Sequence, residues 1–122
     1  MRSKYIAKPL FWVASSQKDL LAMPKAVISA FGYGLHQAQI GKQHVSAKVL
    51  KGFGGGGVLE LIESDEGGTY RAVYTVRLGK SIYVLHCFQK KSKQGIKTPQ
   101  EDMNLIRSRL KIAEQMEEGN AS

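Results

Sequence analysis

A chain of 122 residues, 43% hydrophobic and 23% charged, has the size and make-up of one globular domain, able to bury a core without disulfides or structural metal. Its single cysteine excludes a disulfide framework and every multi-cysteine zinc site, and no apolar run approaches the roughly 20 residues that span a bilayer. The net charge of +8 is unevenly spread, with 15 basic and 5 acidic residues in 1–99 against 3 and 5 in 100–122, so the body suits a polyanionic partner, of which nucleic acid is the commonest.

Met1 to Lys4 are not followed by the hydrophobic segment of a signal peptide, and a cytoplasmic protein with no membrane contact is the expectation. Leu10 to Ala14 form a short apolar run ended by serines, a first strand. Ser16, three residues before Asp19, suits the N-cap of a short helix from about Gln17 to Met23. Pro24 suits the first position of a second helix, in which Val27, Phe31, Leu35 and Ala38 share one buried face and which Gly41 ends. After a polar loop from Lys42 to Ser46 the period changes to that of strands. Val58 to Glu63, Thr69 to Leu78 and Ser81 to Phe88 read as an antiparallel meander, broken by glycine turns at Asp65 to Gly68 and Leu78 to Lys80. In the last run Ile82 and Val84 fall on one face and Tyr83 and Leu85 on the other, which places it centrally in the sheet. Thr98, Pro99 and Glu101 have the order of N-cap, first helical residue and capping-box acid. Met103, Ile106, Leu110 and Ala113 then make the apolar stripe of a C-terminal helix ending near Met116, and Glu117 to Ser122 read as a frayed tail. The expected fold is a single α+β domain over residues 1–122: an antiparallel sheet of three to four strands, two N-terminal helices and one C-terminal helix, all against one sheet face.

The densest candidate feature runs from Phe88 to Lys97, where Lys90, Lys91, Lys93 and Lys97 stand between a core strand and a capped helix, placed to grip a phosphate backbone. Arg71 lies inside a strand on the face of Val73, Thr75 and Arg77, opposite Tyr70, Ala72 and Tyr74. If helices leave that face open it becomes a basic floor; the alternative is a salt bridge from Arg71 to Glu60 on the neighbouring strand. Gly54 to Gly57 lack the Gly-Lys-Ser/Thr of a phosphate loop and suit a mobile hairpin tip or a bulge. His36, His44 and His86 have no common ligand spacing, which argues against metal; His86 reads as a hydrogen-bonded core residue and His44 as freely accessible. Cys87 reads as a buried small hydrophobe, and Phe11 and Trp12 as core.

Several segments together form a familiar pattern: Leu50, Lys51 and Gly52; Leu59, Glu60 and Leu61; Tyr70 to Tyr74; and His86 to Lys91 leading to Lys97, Thr98 and Pro99. Over about residues 8 to 115 the chain resembles the phage-derived HigB-type toxins of the RelE/ParE superfamily of toxin–antitoxin modules. The resemblance implies the element order above and a metal-independent, cofactor-free endoribonuclease that cuts messenger RNA on the ribosome and is held inactive by an antitoxin, a small helix-turn-helix protein. It implies that Arg71 stabilises transition-state charge, that Lys90, Lys91 and Lys93 bind phosphate and support the leaving group, and that Lys48 and Lys51 hold RNA from the other side. Glu60 and Ile62 stand where RelE-type toxins carry paired lysines, and the base-stacking aromatic after the basic cluster is missing. That leaves Glu60 as a candidate base and Tyr70 or Phe88 as candidate stacking groups. The alternative readings are a ParE-like gyrase inhibitor without hydrolytic activity and an RNA-binding relative without cleavage.

Overall fold

The computed structural model describes residues 7–55, 57–90 and 98–121. The elements follow as β1 (Leu10–Trp12), α1 (Ser16–Leu21), α2 (Lys25–Gln39), β2 (Ala47–Val49), β3 (Val58–Asp65), β4 (Gly68–Leu78), β5 (Ser81–Lys90) and α3 (Gln100–Ala121). The expected α+β class and meander are present, but the sheet has five strands in the order β1-β5-β4-β3-β2. The additions are the short edges: β1 runs parallel to β5 with Phe11 opposite Tyr83, and β2 runs antiparallel to β3. β5 is therefore interior, as its two apolar faces require, although β4 holds the middle.

Helices cover both sheet faces, not one. On the first face the α2 stripe of Val27, Phe31, Leu35 and Ala38 meets Leu59, Leu61, Ala72, Tyr74, Ile82 and Val84. Gly34 lets this helix approach closely, because a Cβ there would stand 2.7 Å from the Leu61 side chain. On the second face Ile106 and Ala113 of α3 pack against Leu50, Val58, Val73, Tyr83, Leu85 and Phe88. Two separate apolar faces on one sheet explain why residues of both parities are buried along β4 and β5.

Helix ends differ from expectation in detail. Ser15 is the N-cap of α1 and its hydroxyl donates to Asp19, whereas Ser16 turns inward and donates to the Val84 carbonyl. Pro24 is the N-cap of α2, and Gly41, at φ +82°, follows its last turn. At α3 the Pro99 carbonyl accepts the Met103 N–H, so Thr98 stands outside the helix. The tail does not fray near Met116: α3 continues to Ala121 because Glu117 accepts from the Tyr83 hydroxyl and the Lys80 N–H, and Asn120 donates to the same tyrosine. Among the described residues no helix is long and apolar enough to cross a membrane.

Candidate functional site

The second sheet face sets the site. Cross-strand registers place Lys48 opposite Glu60, Glu60 opposite Val73, and Val73 opposite His86, with Arg71 opposite Phe88 in the next row. An irregularity in β5 creates this alignment. Val73 pairs with His86 but the following Tyr74 pairs with Val84, so Leu85 is an inserted residue. Strict alternation from Ile82 would send His86 and Phe88 to the α2 side; the bulge turns them toward α3, beside Arg71. The Leu85 carbonyl accepts a 3.0 Å hydrogen bond from Arg109 of α3, whose other terminal nitrogen donates to Ser15. A buried guanidinium thus ties helix, bulge and the β1–α1 turn together.

Arg71 and Glu60 form the ion pair that the sequence left as an alternative. Nη1 lies 3.1 and 3.0 Å from the two carboxylate oxygens and 3.4 Å from the Thr98 hydroxyl oxygen. Both side chains are at least nine-tenths buried, so the open basic floor is not what forms; α3 roofs the face and leaves a cleft at its N-terminal end. Lys90, at the end of β5, is also buried. Burial foremost, and the Arg71 cation next, hold its ammonium below the usual lysine range, with Glu60 pulling the other way. Glu60 is the single carboxylate lining the cleft among the described residues, and Lys48 and Lys51 stand on its β2 side. The cleft has a volume of about 530 Å³, and Thr98, Gln100 and Met103 form its opposite wall.

The structure therefore brings together Glu60, Arg71, Lys90, Lys48 and Lys51. Lys91, Lys93 and Lys97 lie outside the described residues. Phe88 is buried, and His86 stacks on it at a centroid distance of 4.4 Å, which removes that ring face as a platform for a base. Tyr70 is buried on the opposite face, in the α2 core.

His86 is hydrogen-bonded as expected, but its partner, Asp102 of α3, was not singled out in the sequence. The Nε2 to Oδ1 distance is 2.8 Å. A ring that donates Nε2–H to this carboxylate carries its lone pair on Nδ1, which is buried and has no hydrogen-bond partner among the described residues. Burial lowers the His86 pKa, more than Asp102 restores it. The pair fastens the first turns of α3, and with them the Met103 wall of the cleft, to the sheet. His44 is not free: its Nδ1 accepts the Ser46 N–H, and its ring meets Tyr33 edge-on. Burial pushes the Cys87 thiol up to about 12, as befits an inert core residue. Among the described residues no group of three or more His, Cys, Asp or Glu could hold a metal.

Fold and site together define a small α+β protein with a cleft lined by Lys48, Lys51 and Glu60, the last held by the buried Arg71. The chain belongs to the phage-derived Gp49-like protein family (DUF891), whose profile matches residues 18–111. No curated protein matches it. Among solved structures, a chain of the toxin–antitoxin complex RelBE2 from Mycobacterium tuberculosis is similar at 16% identity and a TM-score of 0.43, over 75% of this chain and 100% of that one.

Proposed function

We propose that this protein is the toxin of a type II toxin–antitoxin module, a metal-independent endoribonuclease that cuts messenger RNA on the ribosome, with a small helix-turn-helix antitoxin as partner. The observation that carries the reading is Glu60, which lines a cleft together with Lys48 and Lys51 and is backed by the buried cations Arg71, its ion-pair partner, and Lys90. A buried arginine in a sheet ordinarily has structural neighbours alone; here its carboxylate partner Glu60 lines a cleft with further cations, an arrangement suited to a phosphodiester once Arg71 is released toward it. The sequence resemblance to HigB-type toxins and membership in a phage-derived family support the same class.

In this mechanism Lys48 and Lys51 hold the RNA backbone and the scissile phosphate displaces part of the Glu60 grip on Arg71. Glu60 takes the proton of the ribose 2′-hydroxyl, whose oxygen attacks phosphorus. Arg71 meets the negative charge that grows on the pentavalent phosphate. The bond from phosphorus to the 5′-oxygen breaks, and Lys90, a stronger acid than an exposed lysine because burial and Arg71 disfavour its charge, gives that oxygen its proton. The products are a 2′,3′-cyclic phosphate and a 5′-hydroxyl. Single-turnover cleavage on programmed ribosomes tests the assignment. Arg71→Ala lowers the rate by roughly 10²-fold or more while ribosome binding falls much less; an equal fall in both would make Arg71 a binding group.

A further inference from the structure

The cleft as described offers charge but no surface for a base, since Phe88 and Tyr70 are both buried. Its rim supplies one. The loop between β2 and β3 carries Phe53, and the guanidinium of Arg107, on the exposed side of α3, lies over that ring at 5.3 Å from its centroid. We infer that the Arg107–Phe53 stack is a nucleobase-binding platform at the mouth of the cleft, taking the base of a nucleotide next to the phosphate held by Lys48 and Lys51. This rests on the RNA reading of the cleft and adds to it the group that reads a base.

Three features support the assignment. First, platform and cleft adjoin. Gly52, at φ +100°, fits where a Cβ would stand 3.4 Å from both the Arg107 Nη2 and the Met103 methyl carbon, and Met103 and Lys51 both line the cleft. Second, the stack is anchored beneath and open above. Phe53 packs on the core cluster of the α3 face, while Arg107 is exposed and makes no ion pair among the described residues, where every acidic residue of the chain lies. An exposed guanidinium held over an aromatic ring keeps a planar surface that a nucleobase can stack on. Third, the described part of the loop is tied to the sheet where Arg77 of β4 donates to the Gly55 carbonyl at 2.6 Å. Gly52, Gly54 and Gly55 all have positive φ, the backbone course that brings Phe53 back under α3.

The experiment measures binding of the full chain to a single-stranded oligoadenosine pentanucleotide with 2′-O-methyl riboses, which cannot be cleaved, and to the same oligonucleotide made abasic at one position at a time. For the wild-type protein one abasic position costs about tenfold in affinity, within the range expected for loss of one stacked base. Arg107→Lys keeps the charge but not the planar face, and removes that penalty: the base-bearing probe then binds as weakly as the abasic one. Phe53→Leu behaves likewise, and Phe53→Trp restores the penalty. An abasic penalty that persists in Arg107→Lys, or wild-type binding indifferent to every abasic position, overturns the platform and leaves the phosphate-binding cleft standing. Wild-type protein that binds neither probe overturns the platform together with the RNA reading beneath it.

Discussion

Arg71→Met leaves the Glu60 carboxylate buried without its guanidinium, and Glu60→Leu leaves Arg71 buried without its carboxylate. Breaking a buried pair from one side costs about 3 to 5 kcal/mol. With unfolding entropy near 2.1 cal/mol/K per residue, each kcal/mol lowers the Tm of a chain this long by about 4 °C, so either single change lowers it by roughly 12 to 20 °C. Arg71→Met keeps Lys90 near Glu60 and falls toward the lower end; Glu60→Leu leaves two buried cations together and falls toward the upper. Replacing both partners removes the uncompensated charge, and the double variant recovers most of the loss, because apolar side chains of similar volume substitute well for a buried ion pair. Cleavage does not recover. Thermal unfolding and single-turnover cleavage on the same three proteins therefore separate fold from chemistry. A double variant that is stable and still cleaves refutes the catalytic assignment of the pair; one as unstable as the single variants refutes the energetic account of it.

His86 supplies a pH dependence. Burial holds its folded-state pKa below the ordinary value, so the unfolded chain binds the extra proton as pH falls below about 6.5. This stability is whole above that pH and is lost as pH falls through the folded-state value; His86→Gln flattens the slope of Tm against pH, and an identical slope in both proteins would contradict the buried, neutral ring. In α2, Gly34→Ala costs about 1 kcal/mol net in denaturant unfolding, since crowding of Leu61 outweighs the helix-propensity gain, whereas Gly32→Ala, with nothing within 4 Å of the new methyl, gains about 0.5 to 1 kcal/mol. Equal effects at the two glycines would refute the close approach of α2 to β3.

The sequence was most legible where side-chain period and burial coincide. The spacing of Val27, Phe31, Leu35 and Ala38 located the α2 face, and alternation along β4 correctly set Arg71 with Val73 and Thr75 against Tyr70, Ala72 and Tyr74. Alternation carries no mark of an inserted residue, so the bulge at Leu85, which turns His86 and Phe88 toward Arg71, was invisible. Nor does it say which face a helix covers: the α3 stripe looks the same whether it lies beside α2 or across the sheet. Arg109 and Asp102 were missed because an arginine within an apolar stripe and an acid in a first helical turn both have ordinary surface explanations, and their partners, the Leu85 carbonyl and His86, are distant in sequence. The Glu60–Arg71 pair was legible as an option because adjacent strands with known parity bring few partners within reach. Phe53 and Arg107 gave no signal, since their meeting depends on the course of a glycine loop.

The most direct test of the central claim follows messenger RNA ends and macromolecular synthesis after the protein is induced without an antitoxin. The account predicts that amino-acid incorporation falls first and that breaks bearing 2′,3′-cyclic phosphate and 5′-hydroxyl ends accumulate inside translated reading frames, with Arg71→Ala abolishing both effects. Early loss of DNA synthesis with translation and messenger RNA intact would contradict it and would make the cleft a protein-binding surface.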